Sequence, residues 1–220
     1  MAPRLDDIVV ATSTAASDDP IEIYCQSVGI DLFRGSLDDV LDRHVGAAKY
    51  KEADHVIRIP GDKPVVDPET VDLVLAHHLR TSADYTANIS ANHPSDRMCP
   101  LGFEVEIAKF SALAIASEQA TEPFQREHAL PYLYDNPEQF HIERVPMLGA
   151  ALRGSHYRLT LDSAEDYEVI SRVYEEFPSS NELKMTPVLD FLDEHPEVAQ
   201  INGSVVQRSH RSVAGLEPQP

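Results

Sequence analysis

The chain is organised around one stretch, Val56-Ile57-Arg58-Ile59-Pro60-Gly61-Asp62-Lys63-Pro64-Val65-Val66-Asp67. Its apolar start predicts a buried strand that turns at Pro60-Gly61. A helix begins directly afterwards, because Asp67 has the chemistry of an N-cap and a proline follows at the first helical position. In an open α/β sheet the carboxyl ends of the strands line the ligand crevice, so Asp62 is expected at a binding site. The alternative is a polar residue that only ends a strand.

Strands and helices alternate along the rest of the chain, which is typical of an α/β fold with a Rossmann-like, mostly parallel sheet flanked by helices. Short apolar or alternating runs predict strands, and apolar residues at helical spacing predict helices. The predicted strands are residues 7–13, 30–35, 56–59, 84–89, 103–107, 140–145 and 156–161. The predicted helices are residues 17–28, 36–45, 68–80, 111–119, 123–134, 163–177 and 186–194. Residues 90–101 predict a polar loop that could cover a site.

The same patterns divide the chain into an α/β domain over residues 1–178, a helical appendage over residues 179–208 and a disordered tail over residues 209–220. No apolar run approaches the ~20 residues of a membrane span. The N-terminus lacks the apolar region of a signal peptide, so we expect a cytoplasmic location. Cys25 and Cys99 have no metal-ligand spacing and are expected to be free thiols.

The formal net charge of −19 argues against nucleic acids and anionic membranes as partners, because both would be repelled. No GxSxG motif and no Walker loop is present, which disfavours serine nucleophiles and P-loop ATPase activity. An acidic protein that binds a nucleoside triphosphate needs a divalent cation or a local cluster of basic side chains. The candidate contacts to phosphate, base or sugar are Arg34, Arg43, Arg58 and Lys63.

Two carboxylates, Asp62 and Asp162, each follow a predicted strand. Together they could hold one Mg²⁺, which typically uses one or two carboxylates plus substrate phosphates. The alternative for Asp162 is an acid that favours the start of the next helix through the helix dipole. Asp166 fits a capping-box partner better. Arg126-Glu127-His128 could line a sugar pocket or lie on a solvated turn.

Several short motifs follow one another along the chain. They are Ile8-Val9-Val10-Ala11-Thr12-Ser13, Asp18-Asp19-Pro20, Phe33-Arg34-Gly35-Ser36, Asp39-Val40-Leu41-Asp42-Arg43, Arg58 with Gly61-Asp62 and Pro64, Asp67-Pro68, Gly102 with Glu104-Val105-Glu106, Arg126-Glu127-His128, Arg158-Leu159-Thr160 with Asp162 and Glu165-Asp166, His195-Pro196-Glu197 and Ile201-Asn202. In this order they resemble the spore-coat polysaccharide type of cytidylyltransferase-like proteins, relatives of the acylneuraminate and 3-deoxy-manno-octulosonate cytidylyltransferases. The resemblance runs from about residue 5 to about residue 208, and the motifs are specific as a set.

The resemblance implies a fold of the nucleotide-diphospho-sugar transferase type and transfer of CMP from CTP to a sugar acid for surface polysaccharide. Mg²⁺ would neutralise the phosphates while pyrophosphate leaves. By resemblance, Asp62 and Asp162 are the metal carboxylates, and Arg58 acts with them in catalysis. The residues implied along the nucleotide or sugar crevice are Arg34, Asp39 and Arg43, and those implied to face the acceptor sugar are Glu104, Arg126 and His128.

The chain departs from that family at two places. Family members open with a strand and a Gly-Arg-Lys-rich loop that cradles the CTP phosphates, whereas residues 3–6 here match the approach to the second strand. We therefore expect the first strand to be missing and its neighbours to carry open edges. Within the Asp62 motif, Pro60 and Lys63 replace small polar and cysteine residues, and Lys63 is a candidate phosphate contact in their place.

Three explanations for the missing strand stay open. The true start codon could lie upstream, in which case the chain is an enzyme that lacks its N-terminal strand and loop. The short chain could instead be a non-catalytic sugar- or partner-binding module, completed as a homo-oligomer or by another chain. It could also be a decayed gene product.

Overall fold

The computed structural model describes residues 4–89, 98–179 and 183–207. Residues 90–97 of the predicted covering loop and the predicted tail, residues 209–220, lie outside this part of the chain. The strands are β1 (Val9–Ser13), β2 (Asp31–Gly35), β3 (His55–Arg58), β4 (Tyr85–Ala87), β5 (Glu106–Lys109) and β6 (Ile142–Arg144). The α-helices are α1 (Asp19–Val28), α2 (Val40–Tyr50), α3 (Pro68–Thr81), α4 (Phe110–Gln119), α5 (Pro123–His128), α6 (Pro131–Asp135), α7 (Ala150–Arg153), α8 (Ala164–Glu176), α9 (Met185–Glu194) and α10 (Pro196–Gln200).

The described strands form two sheets. β1 and β2 pair in parallel, and the second sheet has the order β3-β5-β4-β6. In the second sheet β5 runs antiparallel to both neighbours, and only β4 and β6 are parallel. The predicted α/β fold is confirmed; the first sheet is parallel, and the second is mixed. A parallel neighbour requires a crossover, usually a helix, and the described residues between β4 and β5 contain none.

β1 and β3 each have one edge without a strand partner in the described part of the chain. The open edges expected beside the missing strand stay a prediction, because β2 and β6 have equally open edges in these residues and nothing distinguishes them from those of β1 and β3. Their carboxyl ends lie near one another, because Asp18, which accepts hydrogen bonds from the end of β1, and Arg58, which ends β3, both act electrostatically on Arg43 of α2. The two sheets therefore present their strand ends to a common region.

The segment 156–161 was predicted as a strand, and this prediction is wrong. Its only ladder contact in the described residues is an isolated bridge between Leu101 and Arg158. The backbone N–H groups of this segment bond to two different loops: Leu159 donates to Leu101 O at 2.7 Å and Leu161 donates to Asp62 O at 2.8 Å. The segment is thus held by two loops, with Arg158, Leu159 and Thr160 buried, and is not part of a sheet.

The predicted side-chain caps at the starts of α3 and α8 are confirmed. The Asp67 carboxylate accepts hydrogen bonds from the first turn of α3, and Ser163 forms a capping box with Asp166 at the start of α8. The helix predicted over residues 36–45, with Ser36 as its expected N-cap, begins later, because Asp39 and not Ser36 accepts from the first turn of α2. The Ser36 hydroxyl instead accepts from Asp39 N and fixes the turn before the helix.

The predicted helix over residues 123–134 is two short helices. Ala129 has a φ of +67°, which no regular helix tolerates, and Pro131 then starts α6. The predicted strand over residues 103–107 is also displaced, since β5 begins at Glu106. Glu104 therefore precedes the strand and does not share a strand face with Glu106.

The two faces of the second sheet are covered by different helices. Tyr85, Ala87 and Ala108 pack with α2, α4 and α6 on one face, and Ile107 packs with α3 on the other. A third apolar cluster joins the loops around Phe103 and Leu159 to α8 and α9. The C-terminal helices of the predicted appendage thus pack against the loop that precedes Asp162. Cys25 and Cys99 are both buried and form no disulfide with one another.

Candidate functional site

One row of paired residues crosses the second sheet where β3, β4 and β6 end. Arg58 lies opposite Glu106, Glu106 lies opposite Ala87, and Ala87 lies opposite Arg144. Residues directly opposite one another project from the same face of a sheet. Arg58, Glu106 and Arg144 therefore share the face that is covered by α2, α4 and α6. Ala87, with only a methyl group, leaves space between Glu106 and Arg144.

Glu106 is the centre of this row and is only 8% exposed. Its carboxylate accepts from Arg58 Nη1 at 3.0 Å and from the Tyr85 hydroxyl at 2.7 Å. Burial alone would raise the pKa of Glu106, but the charges of Arg58 and Lys63 outweigh it and hold that pKa below its usual value. Burial and the neighbouring Glu106 charge raise the pKa of the Tyr85 hydroxyl well above its usual value. Glu106 is therefore a buried anion surrounded by donors.

Helices α2 and α5 add basic groups above the row. Burial lowers the pKa of Arg43, and its Nε is buried without a hydrogen-bond partner. Burial also lowers the pKa of His44 to about 4 and lowers the pKa of His128. Both histidines lie within electrostatic reach of Arg58 and Glu106. The predicted residues Arg43, Arg58 and His128 thus belong to one site.

Asp39, predicted along the nucleotide or sugar crevice, and Arg126, predicted to face the acceptor sugar, are bonded to each other. Arg126 Nε donates to Asp39 Oδ2 at 2.9 Å, and Nη2 bonds to the same oxygen. Asp39 Oδ1 also caps α2 through Asp42 N. This pair holds α5 against the start of α2, so Asp39 and Arg126 shape the wall of the site.

Arg34 lies apart from this row, at the end of β2. Its guanidinium donates to the carbonyl oxygens of Ser13 at 2.8 Å and Ala15 at 2.9 Å, and forms ion pairs with Asp19 and Glu22. These four acceptors occupy its donors and fix the loop that links β1 to α1. Arg34 is therefore held by β1, by α1 and by the loop between them.

The segments that carry Asp62 and Asp162 are joined directly. The carbonyl oxygen of Asp62 accepts from Leu161 N at 2.8 Å and from Thr160 Oγ1 at 3.0 Å. Neither aspartate ends a strand, because β3 stops at Arg58 and residues 156–161 form none. The loop-to-loop hydrogen bonds bring these segments together instead.

The two carboxylates have different surroundings. Asp62 Oδ1 is buried and has no hydrogen-bond partner. The Asp162 side chain is 43% exposed and accepts from Arg158 Nη2 at 2.6 Å. Arg158 is itself held by Asp166, whose carboxylate is fully buried. Asp62 Oδ1 thus has no hydrogen-bond partner, whereas the Asp162 carboxylate is oriented by Arg158.

Lys63 and Glu104 form a further pair close to the row. Their charged groups are 3.1 Å apart and both side chains are mostly buried. Lys63 also acts on the Glu106 charge, which places it at the same end of the sheet as Arg58. Across residues 4–89, 98–179 and 183–207, no cluster of three or more His, Cys, Asp or Glu side chains could hold a metal ion by itself.

The sequence did not identify Tyr85, His44 or Arg144 as site residues, and gave Glu106 no role. Each joins the site through strand register or helix packing, which no local motif encodes. A signal existed only for Glu106, as an acidic residue inside an apolar run.

No helix in the described part of the chain is long and apolar enough to cross a bilayer.

Several known proteins are similar to this chain. A family model described as Cytidylyltransferase matches residues 1–202. The chain is 35% identical over 210 residues to Uncharacterized protein MJ1063 of Methanocaldococcus jannaschii, covering 96% of this chain and 82% of the relative. It is 34% identical over 197 residues to Spore coat polysaccharide biosynthesis protein SpsF of Bacillus subtilis, covering 88% and 78%. A solved cytidylyltransferase from Leptospira borgpetersenii serovar Hardjo-bovis superimposes with a TM-score of 0.79 at 28% identity, covering 91% of this chain and 80% of that one.

Proposed function

Because the chain belongs to the cytidylyltransferase family, we propose that it transfers the CMP group of CTP to a hydroxyl of a sugar acid for surface polysaccharide. In this reaction the hydroxyl oxygen bonds to the α-phosphorus of CTP, the bond from that phosphorus to the β-phosphate bridging oxygen breaks, and pyrophosphate leaves. The hydroxyl gives up its proton to solvent. Such transfer depends mainly on positioning and on stabilisation of charge.

The observation that carries the proposal is a buried carboxylate oxygen without a partner, in the loop that also carries Lys63. Buried polar atoms are nearly always hydrogen-bonded, so the bare Asp62 Oδ1 needs an explanation. An oxygen kept for a cation supplies one, because Mg²⁺ takes one or two carboxylates and completes its shell with water and substrate phosphates. Asp62 and Asp162 would hold Mg²⁺, which supplies charge neutralisation of the phosphates when bound.

The cations supply the remaining charge. Arg43 is desolvated by burial and lies within electrostatic reach of Arg58, so the two positive charges attract a polyanion in a chain whose net charge is −19. Lys63 adds a third positive charge at the same end of the sheet. We assign Arg58 to the reacting phosphate, Arg43 and Lys63 to the phosphates of CTP, and Asp39, Glu104, Arg126 and His128 to the acceptor wall. Unchanged CTP affinity in Lys63→Ala would remove the role of Lys63.

The test is release of pyrophosphate by the purified chain supplied with CTP, Mg²⁺ and either N-acetylneuraminate or 3-deoxy-manno-octulosonate. Release should require all three components. Asp62→Asn should lower the rate by about 100-fold, in line with the loss of one charge-stabilising group. Asp190→Asn is the matched control, because Asp190 lies in an exposed ion pair on α9. Equal rates in wild type and Asp62→Asn would contradict the proposal.

The open edges of β1 and β3 favour one second candidate, a sheet-completing partner module without catalysis. Unpaired strand edges are templates for pairing with another chain. Light scattering of the purified chain separates the two candidates when combined with the pyrophosphate assay. A stable homo-oligomer that releases no pyrophosphate would favour the module, and release of pyrophosphate would exclude it.

A further inference from the structure

We propose that Arg144, whose guanidinium lies over the rings of Tyr85 and Tyr134, binds the carboxylate of the acidic acceptor sugar. This inference rests on the proposed function, since it names the group on the acceptor that the site recognises. Arg144 ends β6 and stands at the far end of the row that begins with Arg58.

Arg144 lacks an acidic partner. Among the half-buried arginines of the described residues, Arg34, Arg58, Arg126 and Arg158 each form an ion pair with a carboxylate. Arg144 forms none, and neither does Arg43. An unpaired guanidinium is unusual in a chain with 37 acidic and 18 basic residues. The positive charge of Arg144 is therefore left for a group outside the described residues.

The free part of Arg144 has the shape that recognises a carboxylate. Nη1 is directed at the Tyr85 hydroxyl, 3.4 Å away, while Nε is buried without a partner and Nη2 makes no hydrogen bond. Nε and Nη2 form the side-on fork of the guanidinium, whose two parallel N–H groups match the two oxygens of a carboxylate. An unsatisfied buried N–H is unfavourable, so an oxyanion in this fork would stabilise the site.

The surrounding rings fix the plane of the fork. The guanidinium carbon lies 5.1 Å from the Tyr85 ring centroid and 5.8 Å from the Tyr134 ring centroid, both within cation–π range. Tyr85 is itself held by its 2.7 Å hydrogen bond to Glu106. The fork is thus oriented before a ligand arrives, which reduces the entropy lost on binding.

The row keeps the two anionic groups of the substrates apart. Arg58 and Arg144 lie three strand spacings from one another, about 14 Å between their strands. Buried Glu106 stands between them and repels any anion that approaches the middle of the row. Phosphates are therefore drawn to the side of Arg43 and Arg58, and the acceptor carboxylate is drawn to Arg144. Phosphate oxygens also fit a guanidinium fork, so the experiment includes pyrophosphate.

The experiment follows the ¹⁵Nε–H signal of Arg144, assigned by its loss in Arg144→Lys, during titration of the full chain. The probes are N-acetylneuraminate, 3-deoxy-manno-octulosonate, their methyl esters and pyrophosphate. At least one acid should shift the signal and bind at least tenfold more tightly than its ester, while pyrophosphate leaves the signal in place. Equal affinity for acid and ester, no binding of either acid, or a shift caused by pyrophosphate instead would overturn the inference.

The variants give a second readout. Arg144→Lys should lose at least tenfold in affinity for the acid and keep CTP affinity within twofold. The control Arg172→Lys, on the exposed face of α8, should change neither affinity. Acid binding as tight in Arg144→Lys as in wild type would also overturn the inference. If wild type does not bind CTP but shows the acid-dependent shift, the proposed function is wrong and the carboxylate site is supported. If wild type transfers CMP from CTP normally but shows no such shift, the proposed function is supported and the carboxylate site is wrong.

Discussion

Arg58 and Glu106 stand directly opposite one another in the β3–β5 pairing, and their charged groups are 3.0 Å apart. The pair is nearly buried, and the Tyr85 hydroxyl closes the other side of the carboxylate. Register alone makes this contact, because β5 is antiparallel to β3 and Glu106 is its first residue. The ion pair fixes the guanidinium of Arg58 at the end of the sheet, where the proposed reaction occurs.

Replacing Glu106 should destabilise the fold through this pair. Glu106→Gln keeps the shape but leaves the buried Arg58 guanidinium without its counter-charge, so we expect a loss of about 2 kcal/mol in the free energy of unfolding. Urea denaturation measures it. The control Glu118→Gln, exposed on α4, should stay within about 0.5 kcal/mol of wild type. A similar small change in both variants would show that the pair contributes nothing to stability.

Stability should fall on mild acidification because of His78. This side chain is fully buried, and burial, followed by the charges of His55 and Lys109, lowers its pKa to about 4. The unfolded chain takes up the proton near its ordinary value of 6.5, so between pH 6.5 and 4 the unfolded state binds more protons and stability decreases as the pH drops. The contribution approaches about 1.4 kcal/mol per pH unit.

The variant His78→Gln should therefore show a shallower fall in unfolding free energy between pH 7 and pH 5 than wild type. Between pH 7.5 and pH 9 the two proteins should differ only by a constant offset, because this histidine does not titrate there. Parallel curves over the acidic range would contradict the assignment.

Gly102 controls the loop that precedes Asp162. Its φ is +109°, and an added Cβ would lie 2.3 Å from the carbonyl oxygen of Leu159. Gly102→Ala should cost about 2 kcal/mol or more, because the strained backbone and the contact add together. Gly61→Ala is the control, since no atom lies within 4 Å of its added Cβ. Thermal unfolding compares the two, and equal melting temperatures would exclude the clash.

Asp166 holds Arg158, which in turn orients Asp162. Burial alone would raise the pKa of Asp166, but bonds from Arg158, the Asp162 backbone and Asn202 lower it to about 2. Its stabilising effect is therefore present above its ordinary pKa of 3.8 and disappears as the pH falls towards about 2. Asp166→Asn should lose about 3 kcal/mol at pH 7, measured by urea denaturation. Asp190→Asn, in an exposed pair, should change stability little.

Local chemistry made part of this structure predictable. The Asp67 and Ser163 caps depend on a side chain and the three residues after it, so a single sequence contains all the information. The apolar runs that became β1, β3 and β6 were found for the same reason. Boundaries shifted where tertiary bonds intervened, as at Ser36, whose hydroxyl supports the turn before α2 instead of capping it.

Pairing between distant segments could not be predicted. The antiparallel direction of β5 sets the row from Arg58 to Arg144, and no local pattern reports which strands become neighbours. Residues 156–161 have the pattern of a strand, but their backbone bonds to two loops and joins no sheet. Asp62 and Asp162 were matched as two strand ends, whereas hydrogen bonds between loops join their segments.

The most direct measurement is a calorimetric titration of the chain with CTP, with and without Mg²⁺, in wild type and in Asp62→Asn. We expect binding that depends on Mg²⁺ and is lost in the variant, because the proposed function assigns the unbonded Asp62 oxygen to the cation. Asp190→Asn should bind as wild type does. CTP binding of equal strength with and without Mg²⁺, or in Asp62→Asn, would contradict the account, and so would a folded wild-type chain that binds no CTP.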